Sequence, residues 1–404
     1  MNTPKIRFKG FTDDWEQRKL GEVVGIYDGV HQTPQYQDSG IMFLSVENIT
    51  TLKSEKYISE EAFERDYKVY PEKGDILMTR IGDVGTTNVV QTKEKVAFYV
   101  SLALLKPKEI NSYFLSNAMK TSVFQKGLRE RTLVTAIPQK INKDEIGRVN
   151  VFITNNAEEQ KKIGDYFTAL DHLITLHQRK CDETKQLKKF MLQKMFPKNG
   201  EKNPKIRFEG FTDDWEQRKL GEIYGSIGNA FVGTATPYYV DQGHFYLESN
   251  NVKDGQINHN SEIFINDEFY EKQRDKWLHA GDMVMVQSGH VGHAAVIPKE
   301  LDNTAAHALI MFRNAKEKIE PYFLNYEYQT DKTKKKIENI TTGNTIKHIL
   351  ASDMQEFEVD IPKYEEQKII AGYFRTIDHL ITLHQRKCEK LKELKKYMLH
   401  NMFV

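Results

Sequence analysis

Two stretches of the chain carry apolar residues at alternating steps of three and four positions, the spacing of an amphipathic helix. They cover residues 158–197 and 365–404, and neither Pro nor Gly interrupts residues 165–196. The pattern runs over more than four heptads and predicts helices of about 40 residues, roughly 60 Å long. The first copy of the stripe comprises Ile163, Phe167, Leu170, Ile174, His177, Cys181, Thr184, Lys188, Met191 and Met195. The second copy comprises Ile370, Phe374, Ile377, Ile381, His384, Cys388, Leu391, Lys395, Met398 and Met402.

An apolar stripe of this length is unfavourable in water, so the two helices are predicted to pack on each other, antiparallel, as a coiled coil. His177 and His384 occupy equivalent positions on the stripe. A polar pair that sets the helix register is the favoured interpretation, and a metal or pH-sensing role stays open. Further leucines widen the apolar face: Leu173, Leu176, Leu187, Leu380, Leu383 and Leu394.

The helices belong to a larger repeat. Residues 4–22 return at 204–222 with one change, Lys9 to Glu209, and 26 of the 40 positions in 158–197 are identical in 365–404. Between these blocks, residues 23–157 and 223–364 have diverged. Drift after a recent duplication is the alternative, but drift alone does not spare the flanks and change the middles. We therefore predict a pseudo-two-fold symmetric molecule whose two middle portions do different jobs.

The diverged middles still follow a common plan. Each has an apolar Gly-Asp strand that ends in a glycine turn, GDILMTRIGDVG at 74–85 and GDMVMVQSGHVG at 281–292. Alternating apolar residues and turn glycines predict strands, and a helix and a basic stretch follow in each. The fold class is predicted as α+β, two globular domains joined by the helix pair. The predicted division is domain 1 at 1–157, helix and linker at 158–200, domain 2 at 201–364 and the last helix at 365–404.

Within the repeated block 4–22, we expect an extended segment followed by a short helix. Asp13 and Glu16 resemble a capping box at the start of that helix, and Gly21 would end it. Trp15 and Leu20 are expected to anchor the block to the core.

Composition narrows the class of protein. The 404 residues include 39% hydrophobic and 28% charged residues, with a formal net charge of +1. No run of 18 apolar residues predicts a membrane span, and two cysteines fit a reducing cytoplasm. Local charge is more informative than the net value, since 120–148 holds seven Lys or Arg against three acids and 332–347 holds five against one. Solvated helix faces are the alternative interpretation of these basic clusters. The clusters recur at corresponding places, near Thr132 and Thr135 and again near Thr341, Thr342 and Asn344, and this recurrence favours binding to DNA.

Catalytic motifs are missing from the sequence. There is no G-x-x-x-x-G-K-[ST] loop for ATP, no Asn/Asp-Pro-Pro-aromatic motif for adenine methylation, and no CxxC or HExxH for zinc. The Glu-x-Lys sequences at Glu159 and Glu366 open helices, whereas nuclease carboxylates lie on strands. We therefore predict no enzyme activity and no metal site in this chain.

The order of these blocks, twice over, resembles the specificity subunit of type I restriction-modification systems. The resemblance covers the whole chain and rests on the two glycine-turn motifs and on the joins VFITNNAEEQKKI and VDIPKYEEQKII. Pro362 fits the family pattern, while Asn155-Asn156 replaces it in the first copy. The resemblance implies a cytoplasmic, noncatalytic subunit with two target-recognition domains that read a bipartite, asymmetric DNA target. The helical rod would fix the unread spacer, within a site of at most roughly 18 base pairs.

It also implies partners: double-stranded DNA, two modification subunits that methylate adenine, and ATP-dependent restriction subunits that translocate and cut. S-adenosylmethionine, ATP and Mg would be bound by those partners and not by this chain.

Candidate DNA contacts follow from side-chain chemistry, because Arg, Asn, Gln, Ser and Thr read base edges while Lys and Arg neutralise phosphates. The predicted base-reading residues are Ser45, Glu47, Asn48, Thr79, Arg80, Ser249, Asn250, Asn251, Gln287, Ser288, His290 and His293. The predicted phosphate contacts are Lys126, Arg129, Arg131, Lys335, Lys336 and Lys347. Two rivals remain, a nonenzymatic coiled-coil adaptor that binds proteins, and a nuclease or methyltransferase with an unrecognised site.

Overall fold

The computed structural model describes residues 3–343 and 347–404. The chain forms two compact units, Met1–Gln178 with Gln385–Val404, and Arg179–His384. The unit boundaries fall inside the two long helices, so each repeat contributes helix to both units. Asn344, named above beside the second basic stretch, lies outside the described residues.

Unit 1 has mixed α and β structure. Its strands are β1 Glu16–Lys19, β2 Val24–Asp28, β3 Ile41–Leu44, β4 Tyr57–Ile58, β5 Ile76–Thr79, β6 Thr87–Val89, β7 Val96–Phe98, β8 Leu102–Pro107 and β9 Asn150–Ile153. Its helices are α1 Leu20–Val23, α2 Glu60–Asp66, α3 Ser112–Ala118, α4 Ser122–Arg131, α5 Lys143–Gly147 and the first part of α6 Ala157–Lys194.

Unit 2 repeats this order with additional strands. Its strands are β10 Glu216–Lys219, β11 Tyr224–Asn229, β12 Tyr239–Val240, β13 His244–Leu247, β14 Val252–Lys253, β15 Gln256–Ile257, β16 Phe264–Ile265, β17 Met283–Val286, β18 Ala294–Val296, β19 Ala305–Ala306, β20 Leu309–Ala315 and β21 Glu358–Ile361. Its helices are α7 Leu220–Ile223, α8 Asp267–Glu271, α9 Pro321–Glu327, α10 Asp331–Ile340, α11 Ala351–Gln355 and the first part of α12 Tyr364–Asn401.

The central sheets of the two units correspond strand for strand. Unit 1 has the order β2-β8-β5-β6 and unit 2 the order β11-β20-β17-β18, all antiparallel. In both, the Gly-Asp strand lies inside the sheet. In β5, Ile76 and Met78 face one hydrophobic cluster while Leu77 faces another. The sheet is therefore covered on both faces, which explains why β5 and β17 are buried at every position.

The repeated block 4–22 is built into the core. Trp15 and Leu20 are buried, which confirms the predicted anchor. The capping-box interpretation is wrong, because Glu16 begins strand β1, which pairs with β9, and the short helix starts at Leu20. Pairing with a strand more than 130 residues away satisfies these backbone groups, and no local pattern reveals such a partner.

The long helices are confirmed, with 38 residues each in α6 and α12. In unit 1 they run antiparallel, since Lys395 Nζ lies 2.5 Å from Asp171 Oδ1 and the Cys388 thiol lies 3.7 Å from Gln178 Oε1. Unit 2 contains the reciprocal ion pair, between Lys188 Nζ and Asp378 Oδ1 at 2.7 Å. The predicted stripe is the least exposed face of both helices. His177 and His384 are half-buried on it, and their register-setting role stays a prediction.

The core of each unit is completed by an aromatic residue that follows the long helix of the other repeat. In unit 1, the ring of Phe403 lies 5.8 Å from that of Trp15, 5.5 Å from Phe114 and 5.8 Å from Phe167. In unit 2, Phe196 takes the same position against the aromatic cluster Trp215, Phe323 and Phe374. The near-identity of the repeated blocks is thus explained by packing, because each block must fit two cores.

Among the described residues, none of the helices combines the length and the apolar composition needed to cross a bilayer.

Candidate nucleic-acid interface

In unit 1 the glycine motif forms a tight turn between β5 and β6. Gly82 and Gly85 have φ of +80° and +103°, in the left-handed region that favours glycine. A Cβ at Gly85 would lie 2.7 Å from the Gln125 side chain, whereas one at Gly82 meets open space. Gly85 therefore lets the turn pack closely on helix α4, and Gly82 lets the backbone turn at the surface.

A second turn-forming segment is clamped onto the first. After α4, residues 133–140 form a small hairpin in which Leu133 pairs with Lys140. The Gly82 N–H donates to the carbonyl oxygen of Gln139 at 2.8 Å, and Gln139 Nε2 donates back to the carbonyl oxygen of Gly82 at 2.9 Å. The glycine motif and the first basic stretch, far apart in the sequence, thus form one surface. We call residues 80–86 together with 132–141 the first turn-hairpin frame.

Unit 2 contains the same arrangement. Gly289 and Gly292 have φ of +81° and +87°, and the Gly289 N–H donates to the carbonyl oxygen of Lys347 at 3.1 Å. His348 pairs with both Thr342 and Ser288. We call residues 287–293, 341–343 and 347–349 the second turn-hairpin frame. Residues 344–346, between the last two of these segments, lie outside the described residues.

The two frames present unlike side chains at equivalent positions. The turn carries Asp83 in unit 1, where its carboxylate accepts a hydrogen bond from the Thr86 hydroxyl, and His290 in unit 2. His290 Nε2 lies 3.1 Å from the carbonyl oxygen of Ser249. His293 Nδ1 accepts from the Asp254 N–H, and burial lowers the pKa of His293, so its ring is neutral near pH 7. A carboxylate only accepts hydrogen bonds, whereas an imidazole ring also donates them.

Exposed basic side chains lie on the helix that precedes each hairpin or on the hairpin itself. Lys126 and Arg129 are exposed on α4, and Lys335 and Lys347 are exposed in unit 2. In unit 2 the glycine turn also borders a cleft of about 590 Å³. Its basic lining residues are Lys185, Lys188, Lys189, Lys334 and Lys347, against acidic Asp254, Asp331 and Glu338.

Two predicted phosphate contacts are engaged within the protein. Arg131 donates to the carbonyl oxygen of Gly127, and Lys336 donates to that of Glu358. Both are half-buried. Their charges still contribute to the local field, but they are less available than the four exposed cations.

Several predicted base-reading residues have structural roles instead. Thr79 is fully buried and Arg80 is 7% exposed. The Arg80 guanidinium is paired with Asp28 and donates to the carbonyl oxygen of Ile141, directly beneath the hairpin. This corrects the prediction for Thr79 and Arg80, because a strand end in a sheet covered on both faces does not reach solvent. Arg80 instead positions the first turn-hairpin frame.

Two asparagines are likewise used for capping. Asn48 accepts from the Ser45 N–H and donates to the carbonyl oxygen of Lys53. Asn251 is buried, accepts from the Glu248 N–H and donates to the carbonyl oxygen of Asn258. These contacts consume the hydrogen bonds with which either amide would read a base.

The remaining predicted base-reading residues reach the surface to differing degrees. Asn250 and His290 are exposed, and Glu47 is exposed but paired with Lys56 at 2.6 Å. The half-buried members are Ser45, Ser249, Gln287, Ser288 and His293. In unit 2 the fold brings Ser249 and His290 together. It also joins Gln287 to the hairpin, because the Ile349 N–H donates to the carbonyl oxygen of Gln287.

Sequence reasoning missed residues that the frame exposes. Asp83 and Gln139 lie on the turn and the hairpin, and both are exposed. The hairpin also exposes aliphatic side chains, Val134 at 71% and Ile137 at 99%. A segment of Thr, Pro and aliphatic residues after a basic helix was the sign that the sequence offered.

The Glu-x-Lys sequences have a structural explanation. Glu159 is buried and paired with Arg7 at 2.5 Å, and Glu366 is buried and paired with Arg207 at 2.7 Å. These pairs tie the start of each long helix to the repeated block 4–22 or 204–222. Within residues 3–343 and 347–404, no group of three or more His, Cys, Asp or Glu side chains could hold a metal ion.

Comparison with known proteins agrees with this architecture. The family model described as "Type I restriction modification DNA specificity domain" matches twice, at residues 12–186 and 212–393. The putative type I restriction enzyme MjaX specificity subunit of Methanocaldococcus jannaschii is 24% identical over 417 residues, covering 99% of this chain and 95% of the relative. The MjaVIII specificity subunit of the same organism is 22% identical, covering 96% and 92%.

Solved structures show the same fold. The crystal structure of a type I restriction-modification system S subunit from M. genitalium superposes with a TM-score of 0.68 at 12% identity, covering 100% of this chain and 99% of that one. A chain from a study of complex assembly and conformational transition of the type I system gives a TM-score of 0.51 at 14% identity, covering 95% and 96%. The chain, with two matched domains that span most of its length, belongs to the family of type I restriction-modification DNA specificity subunits.

Proposed function

We propose that this chain reads a bipartite, asymmetric DNA target, with each turn-hairpin frame contacting one half. The observation that carries the proposal is that one backbone frame occurs twice with unlike side chains. A shared frame indicates a shared task, and Asp83 against His290 indicates different bases. Two linked readers make the second contact intramolecular, which raises the affinity beyond that of either unit alone.

In this proposal base contacts come from exposed or half-buried polar residues at the frames and at or beside the 3-10 turns Val46–Asn48 and Ser249–Asn251. In unit 1 these are Ser45, Glu47 and Asp83, and in unit 2 Asn250, Gln287, Ser288, His290 and His293. Lys126, Arg129, Lys335 and Lys347 neutralise phosphates. Helices α6 and α12 each pass from one unit into the other, and we propose that they set the unread spacer.

The chain also acts, in this proposal, as an assembly platform for catalytic partners. Leucine and aromatic side chains at equivalent repeat positions remain exposed on the long helices, although the stripe itself is covered. They are Leu173, Leu394 and Tyr397 in unit 1, and Leu187, Phe190, Leu380 and Leu383 in unit 2. A repeated apolar patch suits two copies of the same partner, the adenine-modifying subunit.

The chemistry then belongs to the partners. The modification subunits bind S-adenosylmethionine, and restriction subunits use ATP and Mg. This chain supplies recognition and no catalytic residue, and we place no cofactor on it.

The test is to map methylated adenines in cells with and without this chain. We expect methylation at one bipartite, non-palindromic motif that disappears without the chain, and the purified chain should bind that motif with an affinity that falls steeply with salt. His290→Ala should relax specificity in the second half only, at a cost of about 1–3 kcal/mol. A protein-binding adaptor would leave the methylation map unchanged and show no salt-dependent DNA binding.

A further inference from the structure

The hairpin of the first turn-hairpin frame exposes three aliphatic side chains together. Leu133 is 45% exposed, Val134 71% and Ile137 99%. Ile137 is thus almost fully exposed, and Leu133 is the most covered of the three. A cluster of exposed aliphatic side chains beside charged residues is typical of a contact surface.

The hairpin is tied to the rest of the frame by hydrogen bonds despite this exposure. Its ends pair through Leu133 and Lys140, with the Leu133 N–H donating to the Lys140 carbonyl at 2.8 Å. Its base is held by the two hydrogen bonds between Gly82 and Gln139. A tip held in this way is presented in a fixed position relative to the glycine turn, as a specific contact requires.

The surroundings of the tip select its partner. Lys140 is exposed on the hairpin and Arg129 is exposed near the end of α4 just before it. Cations suited to phosphates are therefore exposed on the hairpin and on the helix before it, and the acids Asp83 and Glu130 are exposed on the turn and on that helix. The major groove offers one apolar feature among its polar edges, the C5-methyl group of thymine.

We infer that Ile137, supported by Val134, contacts thymine methyl groups in the half-target that unit 1 reads. This inference rests on the proposed DNA-binding function and adds a specificity determinant to it. In unit 2 the residue aligned with Val134 is Gly343, and Thr342 replaces Leu133. The apolar difference between the units therefore lies at the positions of Leu133 and Val134, while Ile346, the sequence counterpart of Ile137, lies outside the described residues.

The experiment removes the methyl group from either side of the contact. Once the methylation map has given the target, each thymine in the first half is replaced in turn by deoxyuridine, which differs only in lacking the C5-methyl. The full-length chain is measured against each duplex at fixed salt. At least one replacement should weaken binding about fourfold, the equivalent of about 0.8 kcal/mol for one buried methyl-sized group.

The same series is repeated with Ile137→Ala. This variant should bind the thymine duplex more weakly than the wild type does. Its affinity should not fall further when the critical thymine is replaced by deoxyuridine. Val123→Ala is the matched control, since Val123 is also an exposed aliphatic residue, 48% exposed, at the opposite end of α4. It should keep the full fourfold response. Since Ile137 buries almost nothing within the protein, an unchanged melting temperature is expected.

Two results would overturn the inference. One is a wild-type chain that binds every deoxyuridine duplex as tightly as the thymine duplex. The other is an Ile137→Ala variant that binds both duplexes more weakly by the same factor, so that the fourfold difference in affinity between thymine and the critical deoxyuridine persists. That result would indicate a wedge inserted between bases. A wild-type chain with no preference for the mapped target over unrelated DNA would instead refute the proposed function itself.

Discussion

Removing the ring of Phe403 tests how each core is completed. Phe403 lies at the end of the second repeat but is 6% exposed among the rings of Trp15, Phe114 and Phe167 in unit 1. Phe403→Ala loses the transfer free energy of the ring and leaves a cavity. Together these cost about 3–5 kcal/mol. A domain is stabilised by only about 5–15 kcal/mol, so the substitution removes a substantial part of the stability of unit 1.

Hydrogen exchange followed by mass spectrometry locates the effect. The slowest amides of α3 and β9 in unit 1 should exchange at least about 100-fold faster in Phe403→Ala, since 1.4 kcal/mol corresponds to a factor of ten. Phe196→Ala should instead accelerate exchange in α9 and β21 of unit 2. Phe190→Ala, which truncates a half-exposed ring on α6 shortly before Phe196, is the control and should change little.

Equal acceleration in both units, or none in unit 1, would refute this reasoning. The first result would mean that the two cores unfold as one cooperative body. The second would mean that the end of α12 contributes little to the core that it contacts.

Three further predictions follow from charged and exposed groups. Burial raises the pKa of Glu327 to about 8. Folded unit 2 therefore keeps a proton on this carboxyl that the unfolded chain releases above about pH 4.5, so the stability of unit 2 should fall by a few kcal/mol as pH rises from about 5 to 8. Glu327→Gln should flatten that fall in pH-dependent urea unfolding, and an unchanged slope would argue against a protonated carboxyl. Lys188→Ala should destabilise unit 2 more than Lys395→Ala destabilises unit 1, because the abandoned Asp378 is 14% exposed and Asp171 is 46% exposed. Tyr397→Asp should weaken co-purification of the modification subunit without changing DNA binding by the chain alone, and loss of both would show that the patch is not a separate partner surface.

Much of the fold was predictable because it is local or repeated. Heptad spacing identified α6 and α12 and the face that they bury, and the repeat identified two units of α+β type. Strand β1 was missed because its partner, β9, comes only after the whole variable segment. The pattern of Glu16 to Lys19 alone is equally compatible with a capped helix, and the long-range pairing decides it.

The candidate site was predictable only in part. The two stretches that form each frame were both singled out, one by its glycines and one by its charge, but nothing in the sequence shows that Gly82 pairs with Gln139. Arg80 has the right chemistry for base contact, and only the fold shows that its guanidinium is turned toward Asp28. Ile137 has the chemistry of a core residue, and its exposure is visible only in three dimensions.

The central claim is that one frame, used twice with different side chains, reads the two halves of the target. It is tested most directly by replacing residues 223–364 with residues 23–157 and mapping adenine methylation in cells that carry this chimaera. The account predicts a symmetric target made of two inverted copies of the first half. Methylation that still includes the original second half would contradict it.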